Sequence, residues 1–119
     1  SVLAAFANTY PSAQQVQWTK VGSNWEAYFK ENGIINRLQY RHNGDLVHVT
    51  RHYGGAHLNP YLLAKIQRKY RERSIFGITE ITTEDQLRYY IVLEDAQHWY
   101  HVEANALGEL QLTKKYRKA

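Results

Sequence analysis

Histidines are the residues of this 119-residue chain whose side chains are best suited to chemistry. They are His42, His48, His52, His57, His98 and His101. Imidazole titrates near neutral pH and is a common zinc ligand, and ligand nitrogens lie about 2 Å from the metal. On a strand, His48 and His52 would lie about 13 Å apart along one face. His98 and His101 would point to opposite faces. We therefore predict no metal site, with a site assembled between strands as the alternative.

The hydroxyl and carboxyl groups form no catalytic pattern. No serine lies in a G-x-S-x-G or S-x-x-K motif. Glu84-Asp85 and Glu94-Asp95 are adjacent pairs, so an extended backbone would direct the two carboxylates of each pair to opposite faces. Gly54-Gly55 lacks the Lys-Ser/Thr of a phosphate loop, and the absence of cysteine excludes thiol chemistry. We predict a protein that is not an enzyme and that uses no cofactor.

Composition and charge are those of one globular domain. Hydrophobic residues make up 44% and charged residues 22%, which is enough apolar material for a core. The net charge is +4, and basic residues concentrate at 65–73 and 114–118. We interpret the first stretch as the solvated end of a helix and the second as a frayed C-terminal tail. No apolar run is long enough to cross a bilayer. Because translation begins with Met and this chain begins with Ser1, we expect it to be a processed or trimmed form.

The chain alternates between helical and strand periodicity. Apolar spacing predicts a helix over 1–10, ended by Pro11, and a second helix that begins at Asn59-Pro60. Asn32-Gly33 and Asn43-Gly44 each predict a tight two-residue hairpin. A strand over Leu46–Tyr53 closes a four-stranded meander. Later strands are expected near Ile75–Thr82, Leu87–Leu93, His98–Glu103 and Glu109–Lys115.

The two halves of the chain have matching patterns. Leu3, Phe6 and Tyr10 align with Leu63, Ile66 and Tyr70, and Gly44-Asp45-Leu46 aligns with Gly108-Glu109-Leu110. We therefore predict an α+β fold in a single domain over 1–119. It consists of two tandem α-β-β-β-β repeats, repeat 1 over 1–53 and repeat 2 over 59–117. Both helices would cover one face of an antiparallel sheet.

This pattern resembles the PepSY-like family, which is similar to beta-lactamase inhibitor proteins. The residues that carry the resemblance are Tyr10-Pro11, Val16, Trp18, Trp25, Ala27, Phe29, Gly44 and Leu46, then Pro60, Leu63, Ile66, Tyr70, Ile91, Leu93 and Gly108. The resemblance implies a periplasmic or secreted bacterial protein whose signal peptide has been removed. It also implies two α-β4 repeats and, as in the inhibitor relatives, a sheet face that grips a protein partner.

We call the sheet face that the helices leave bare the open face. Its predicted binding residues are Tyr28, Arg37, Gln39, Arg41, His48, Arg88, Tyr90, Trp99 and His101, beside Ile35, Thr50 and Thr113. Aromatic and arginine side chains are enriched where proteins bind one another. The strand over 46–53 is ambiguous: periodicity directs Val47 and Val49 inward, whereas the repeat alignment directs Leu46 and His48 inward.

We predict a binding module that recognises a protein or peptide through the open face. Single-stranded nucleic acid is an alternative, because exposed aromatics and arginines can stack on bases. We rank it lower, because a secreted protein rarely meets nucleic acid. A small ligand held between sheet and helices is a further alternative. Cross-strand aromatic pairs that only stabilise the sheet, or a homodimer that covers the face, would explain the same residues without a foreign partner.

Overall fold

The computed structural model describes residues 1–119 as two helices beside one eight-stranded antiparallel sheet. The elements are α1 (Val2–Thr9), β1 (Gln17–Val21), β2 (Asn24–Glu31), β3 (Ile34–Tyr40), β4 (Leu46–Tyr53), α2 (Pro60–Lys69), β5 (Ser74–Thr83), β6 (Leu87–Glu94), β7 (His98–Asn105) and β8 (Leu110–Arg117). Strand order in the sheet follows chain order, and the molecule measures 47 × 28 × 27 Å. The α-β-β-β-β order occurs twice, which confirms the predicted fold class. Neither helix is long and apolar enough to span a membrane.

Local sequence explains where α2 begins and how β2 turns into β3. The Asn59 side-chain oxygen accepts the N–H of Tyr61 at 2.9 Å and that of Leu62 at 3.4 Å, with Pro60 at the first helical position. Asn32 and Gly33 both have positive φ, at 54° and 80°, as a two-residue hairpin requires. The predicted cap and the first Asn-Gly hairpin are therefore confirmed.

The second Asn-Gly turn differs from the prediction. Gly44 has a φ of 98°, whereas Asn43 is not among the residues of positive φ. The Asn43 side chain instead accepts the Asp45 N–H at 3.0 Å, and the Arg41 N–H donates to the Asp45 carbonyl at 2.8 Å. This side-chain turn replaces a tight hairpin with a longer loop between β3 and β4.

The buried sheet residues pack against the helices in two separate clusters. The smaller cluster surrounds α1 and contains Phe6, Ala27, Phe29, Leu38 and Tyr40. The larger cluster surrounds α2 and contains Tyr53, Leu58, Leu62, Ile66, Tyr70, Ile78, Ile91, Leu93, Tyr100, Val102 and Ala104. Cross-strand partners share a face, and pairs such as Ala27–Leu38 and Ile91–Val102 are buried together. Both helices therefore cover the same face, as predicted.

Polar side chains lie between the two clusters. Arg51 of β4 and Glu80 of β5 are cross-strand partners, and Arg51 Nη1 donates to Glu80 Oε2 at 3.1 Å. The Tyr53 hydroxyl donates to Glu80 Oε1 at 2.7 Å. Burial, together with this bond, raises the pKa of Tyr53 well above its usual range. Asn36 is only 5% exposed, and its side-chain amide donates to the Ile34 carbonyl. We call Asn36, Arg51 and Glu80 the polar seam, which the sequence analysis did not identify; Tyr53 borders it from the larger cluster.

A β-bulge resolves the ambiguity of the strand over 46–53. Gln39 pairs with His48, but Tyr40 pairs with Leu46, so Val47 is the extra residue. Val49 lies on the helix side opposite Leu38, and His48 lies on the open face. Periodicity was therefore right for these two residues. The repeat alignment was right only for Leu46, which lies on the helix side with its cross-strand partner Tyr40.

The expectation of a frayed tail at 114–118 is wrong. These residues continue β8 to Arg117, and the Lys118 N–H donates to the Gln97 carbonyl at 2.7 Å. Lys118 Nζ also contacts Glu94 Oε1 at 2.6 Å. Pairing with β7 holds the basic stretch in place because its backbone groups gain hydrogen-bond partners.

Replacing Leu93 by alanine tests the position of the larger cluster. Leu93 is fully buried at 0% exposure, so L93A should lower the free energy of unfolding by about 2–5 kcal/mol in a urea titration. Leu107 is 82% exposed, and the matched variant L107A should change the free energy by less than about 0.5 kcal/mol. Equal losses in the two variants would contradict the described packing.

Candidate functional site

The structure places all predicted binding residues except Arg41 within strands on the open face. One row crosses five strands through the pairs Tyr28–Arg37, Arg37–Thr50, Thr50–Ile81 and Ile81–Arg88. The remaining predicted residues on this face are Gln39, His48, Tyr90, Trp99 and His101. Arg41 lies in the loop after β3. There it lines, with His48, a cleft of about 390 Å³ at the ends of β4 and β5.

At the β2–β3 end of the open face, the charged and polar side chains are already paired. Arg37 Nη1 contacts Glu26 Oε1 at 3.0 Å, and its guanidinium carbon lies 4.7 Å from the centre of the Tyr28 ring. Asn24 donates to the Gln39 side-chain oxygen at 2.9 Å. These contacts orient Arg37 and Tyr28 while leaving the arginine side chain 46% exposed. A partner would meet side chains that are already ordered, which lowers the entropic cost of binding.

The opposite end of the open face is an aromatic patch, which we define as Phe76, Trp99 and Tyr116. The rings of Phe76 and Trp99 meet edge to face at 4.9 Å between centroids. Lys118 Nζ lies 4.5 Å from the centre of the Trp99 ring. The Tyr116 hydroxyl lies 2.9 Å from His101 Nε2. Phe76 is 63% exposed and Tyr116 is 43% exposed, so this patch offers apolar surface to a partner.

The sequence analysis missed Phe76 and Tyr116 for different reasons. A register shift between Ile75 and Gly77 makes Phe76 a bulge residue, and it then reaches Trp99. Glycine inside a strand pattern is a signal for a bulge, and Gly77 supplies that signal. Tyr116 lies beyond the predicted end of its strand at Lys115. Only its pairing with Trp99 in the ladder puts it on this face.

The centre of the open face combines aliphatic, hydroxyl and imidazole groups. His52 Nδ1 lies 2.9 Å from the hydroxyl of Thr79, its partner on β5. Its partner on β3 is Ile35. Burial lowers the pKa of His52, and the positive charge of Arg37 lowers it further. Arg88 lies 3.8 Å from Glu103. Across the chain, His, Asp and Glu side chains form no group of three or more that could hold a metal ion.

Comparison with solved structures finds proteins of similar fold. The sequence matches no protein-family model and no curated protein. A DUF2874 family protein from Bacteroides ovatus superposes with a TM-score of 0.70 at 19% identity, over 98% of this chain and 84% of that one. A BLIP-like protein from Bacteroides fragilis gives a TM-score of 0.71 at 15% identity, over 98% and 82%. A protein of Bacteroides eggerthii, provisionally described as periplasmic, gives 0.69 at 16% identity, over 98% and 86%. These likenesses show a shared fold.

Replacing Arg37 by glutamine tests the electrostatics of the open face. R37Q should raise the pKa of His52 in an NMR titration, because a nearby positive charge is removed. The matched variant R88Q should leave the His52 titration unchanged, since Arg88 does not contribute to its shift. An unchanged His52 pKa in R37Q would contradict this geometry.

The same shift has a consequence for stability. The folded-state pKa of His52 lies below the value of about 6.5 in an unfolded chain. As the pH falls through that value, the unfolded state therefore binds the proton first. The stabilisation associated with neutral His52 is then lost on acidification. H52Q should flatten the pH dependence of the unfolding free energy in this range.

Proposed function

We propose that this chain is a non-enzymatic binding module that recognises a protein or peptide through the open face. The observation that carries the proposal is the arrangement of that face. No helix covers it, and it carries the aromatic patch at one end and the ordered Tyr28–Arg37 pair at the other. Tryptophan, tyrosine and arginine contribute most of the binding energy at protein interfaces. Aromatic anchors set among ordered polar groups are typical of such interfaces.

The structural neighbours support the same class of function. One of them is BLIP-like, and the PepSY-like resemblance implies a sheet face that grips a protein. Another neighbour is provisionally described as periplasmic, and we propose a periplasmic or secreted location for this chain as well.

Charge pairing favours a protein over single-stranded nucleic acid on this face. Arg37 contacts Glu26, Arg88 lies 3.8 Å from Glu103, and Lys118 contacts Glu94. A cation that is already paired with a carboxylate attracts phosphate weakly, since the two side-chain charges largely cancel. A small ligand at the centre of the smaller cluster is disfavoured because Phe6 packs against Trp18, Phe29 and Tyr40 there.

Alanine substitutions on the open face test the proposal. W99A and Y90A, separately and together, should reduce the amount of envelope protein captured by the immobilised chain by about tenfold or more, as expected for interface anchors. The matched control is Y61A, because Tyr61 is 87% exposed on α2, away from the open face. Quantitative mass spectrometry of the captured proteins gives the readout.

Three outcomes would contradict the proposal. One is unchanged capture by W99A and Y90A, and a second is equal loss in Y61A. The third is binding of single-stranded DNA that is tighter than protein capture and weakens steeply with salt, which would favour phosphate recognition. Sedimentation of the isolated chain tests whether a homodimer, and not a foreign partner, covers this face. A dimer formed across the face would dissociate in W99A.

A further inference from the structure

Strand β8 has an unpaired edge. It pairs with β7 on one side and with no strand on the other. In an antiparallel ladder, alternate residues direct both N–H and C=O away from the neighbouring strand. The Asn105 N–H donates to the Glu109 carbonyl at 3.3 Å, which sets this alternation. The backbone N–H and C=O groups of Leu110 and Leu112 are therefore directed away from β7. Lys69 Nζ approaches the Leu110 carbonyl at 3.4 Å, which agrees with that direction.

The same alternation applies beyond the bulge at Thr113. There the bond from the Lys118 N–H to the Gln97 carbonyl sets the alternation, so Lys115 and Arg117 direct their backbone groups outward. On each side of the bulge, the edge therefore presents donors and acceptors at the spacing of a β-strand, and the bulge at Thr113 separates the two runs. Another extended backbone could pair with these groups.

The surroundings of this edge are strongly basic. Lys65, Arg68 and Lys69 of α2 line a cleft of about 280 Å³ together with Leu110 of β8. Lys115 and Arg117 lie on the same side of the sheet, as cross-strand partners of Tyr100 and His98. None of the five cations takes part in an ion pair of the structure. Their positive charge is therefore available to an acidic partner.

The two edges of the sheet differ in a way that selects the occupant. The edge strand β1 has five residues and one lysine, Lys20, whereas β8 has eight residues flanked by the basic cleft. Basic side chains on an edge repel a second copy of the same edge, which disfavours pairing of two β8 strands. The same charges attract an extended segment rich in Asp and Glu.

We propose that the edge of β8, with the basic cleft beside α2, binds an extended acidic segment of a protein partner, which pairs as a ninth strand. Main-chain bonds to the outward groups of β8 supply affinity, and the cations select acidic side chains. A nucleic acid would use the cations but could not continue the backbone ladder. This surface is distinct from the open face, so the inference does not rest on the function proposed above.

Fluorescence anisotropy with labelled peptides tests the proposal on the full chain. The probe is an alternating Glu-Thr peptide of about ten residues, long enough to span the edge. An alternating Lys-Thr peptide controls for charge. The acidic peptide methylated at alternate backbone nitrogens controls for pairing, because it keeps the charge and loses the donors. We expect each control peptide to bind at least about tenfold more weakly than the probe.

Charge-reversal variants locate the binding site. K115E combined with R117E should weaken binding of the acidic peptide by about tenfold or more. The matched control, K20E combined with K30E, makes the same change in net charge on β1 and β2, and it should retain affinity within about threefold. Both pairs of side chains are exposed, and circular dichroism verifies folding. In the complex, the amides of Lys115 and Arg117 should become protected from hydrogen exchange.

Several results would overturn the proposal. They are equal binding of the methylated peptide, equal loss in the K20E/K30E control, and absence of amide protection at Lys115 and Arg117. Tighter binding of oligothymidylate than of the acidic peptide would also overturn it, in favour of nucleic acid. The W99A/Y90A variant should still bind the peptide, so failure of the edge site is distinguishable from failure of the open-face proposal.

Discussion

The ladder between β4 and β5 is the interaction on which the rest of the structure depends. The hydrophobic clusters around α1 and α2 do not merge, and the polar seam lies between them. Register pairs from His48–Thr83 to Tyr53–Ile78 join the two halves, and the Arg51–Glu80 ion pair reinforces them on the helix side. Because this ladder is continuous, eight strands form one sheet, and the open face is one surface instead of two.

The two candidate surfaces differ in how their charges are used. On the open face, Arg37 and Arg88 lie beside carboxylates, so aromatic contact and shape would dominate recognition. Beside β8, Lys115 and Arg117 belong to a basic group that forms no ion pairs, so long-range attraction would contribute to association. The two proposed surfaces would therefore suit partners of different chemistry.

Local patterns in the sequence were sufficient for most of the fold, and the exceptions share a physical cause. Caps and turns such as Asn59-Pro60 and Asn32-Gly33 act within a few residues, so they can be recognised without the rest of the chain. The bulges at Val47 and Phe76 depend on the neighbouring strand, and each reverses the alternation that periodicity assumes. The open face was predictable where alternation is regular, as at Tyr28 and Arg37. Phe76 became part of the site only through a bulge.

Chain-order pairing of the strands has a consequence for how the molecule folds. Each strand lies beside its neighbour in sequence, and six of the seven pairings are closed by short turns. Only the contact between β4 and β5 must close a long loop, which contains α2. Loop closure loses more chain entropy as the loop grows, and distant contacts slow the search for the native state. Pairing of β4 with β5 therefore costs more chain entropy than any other strand pairing in the sheet.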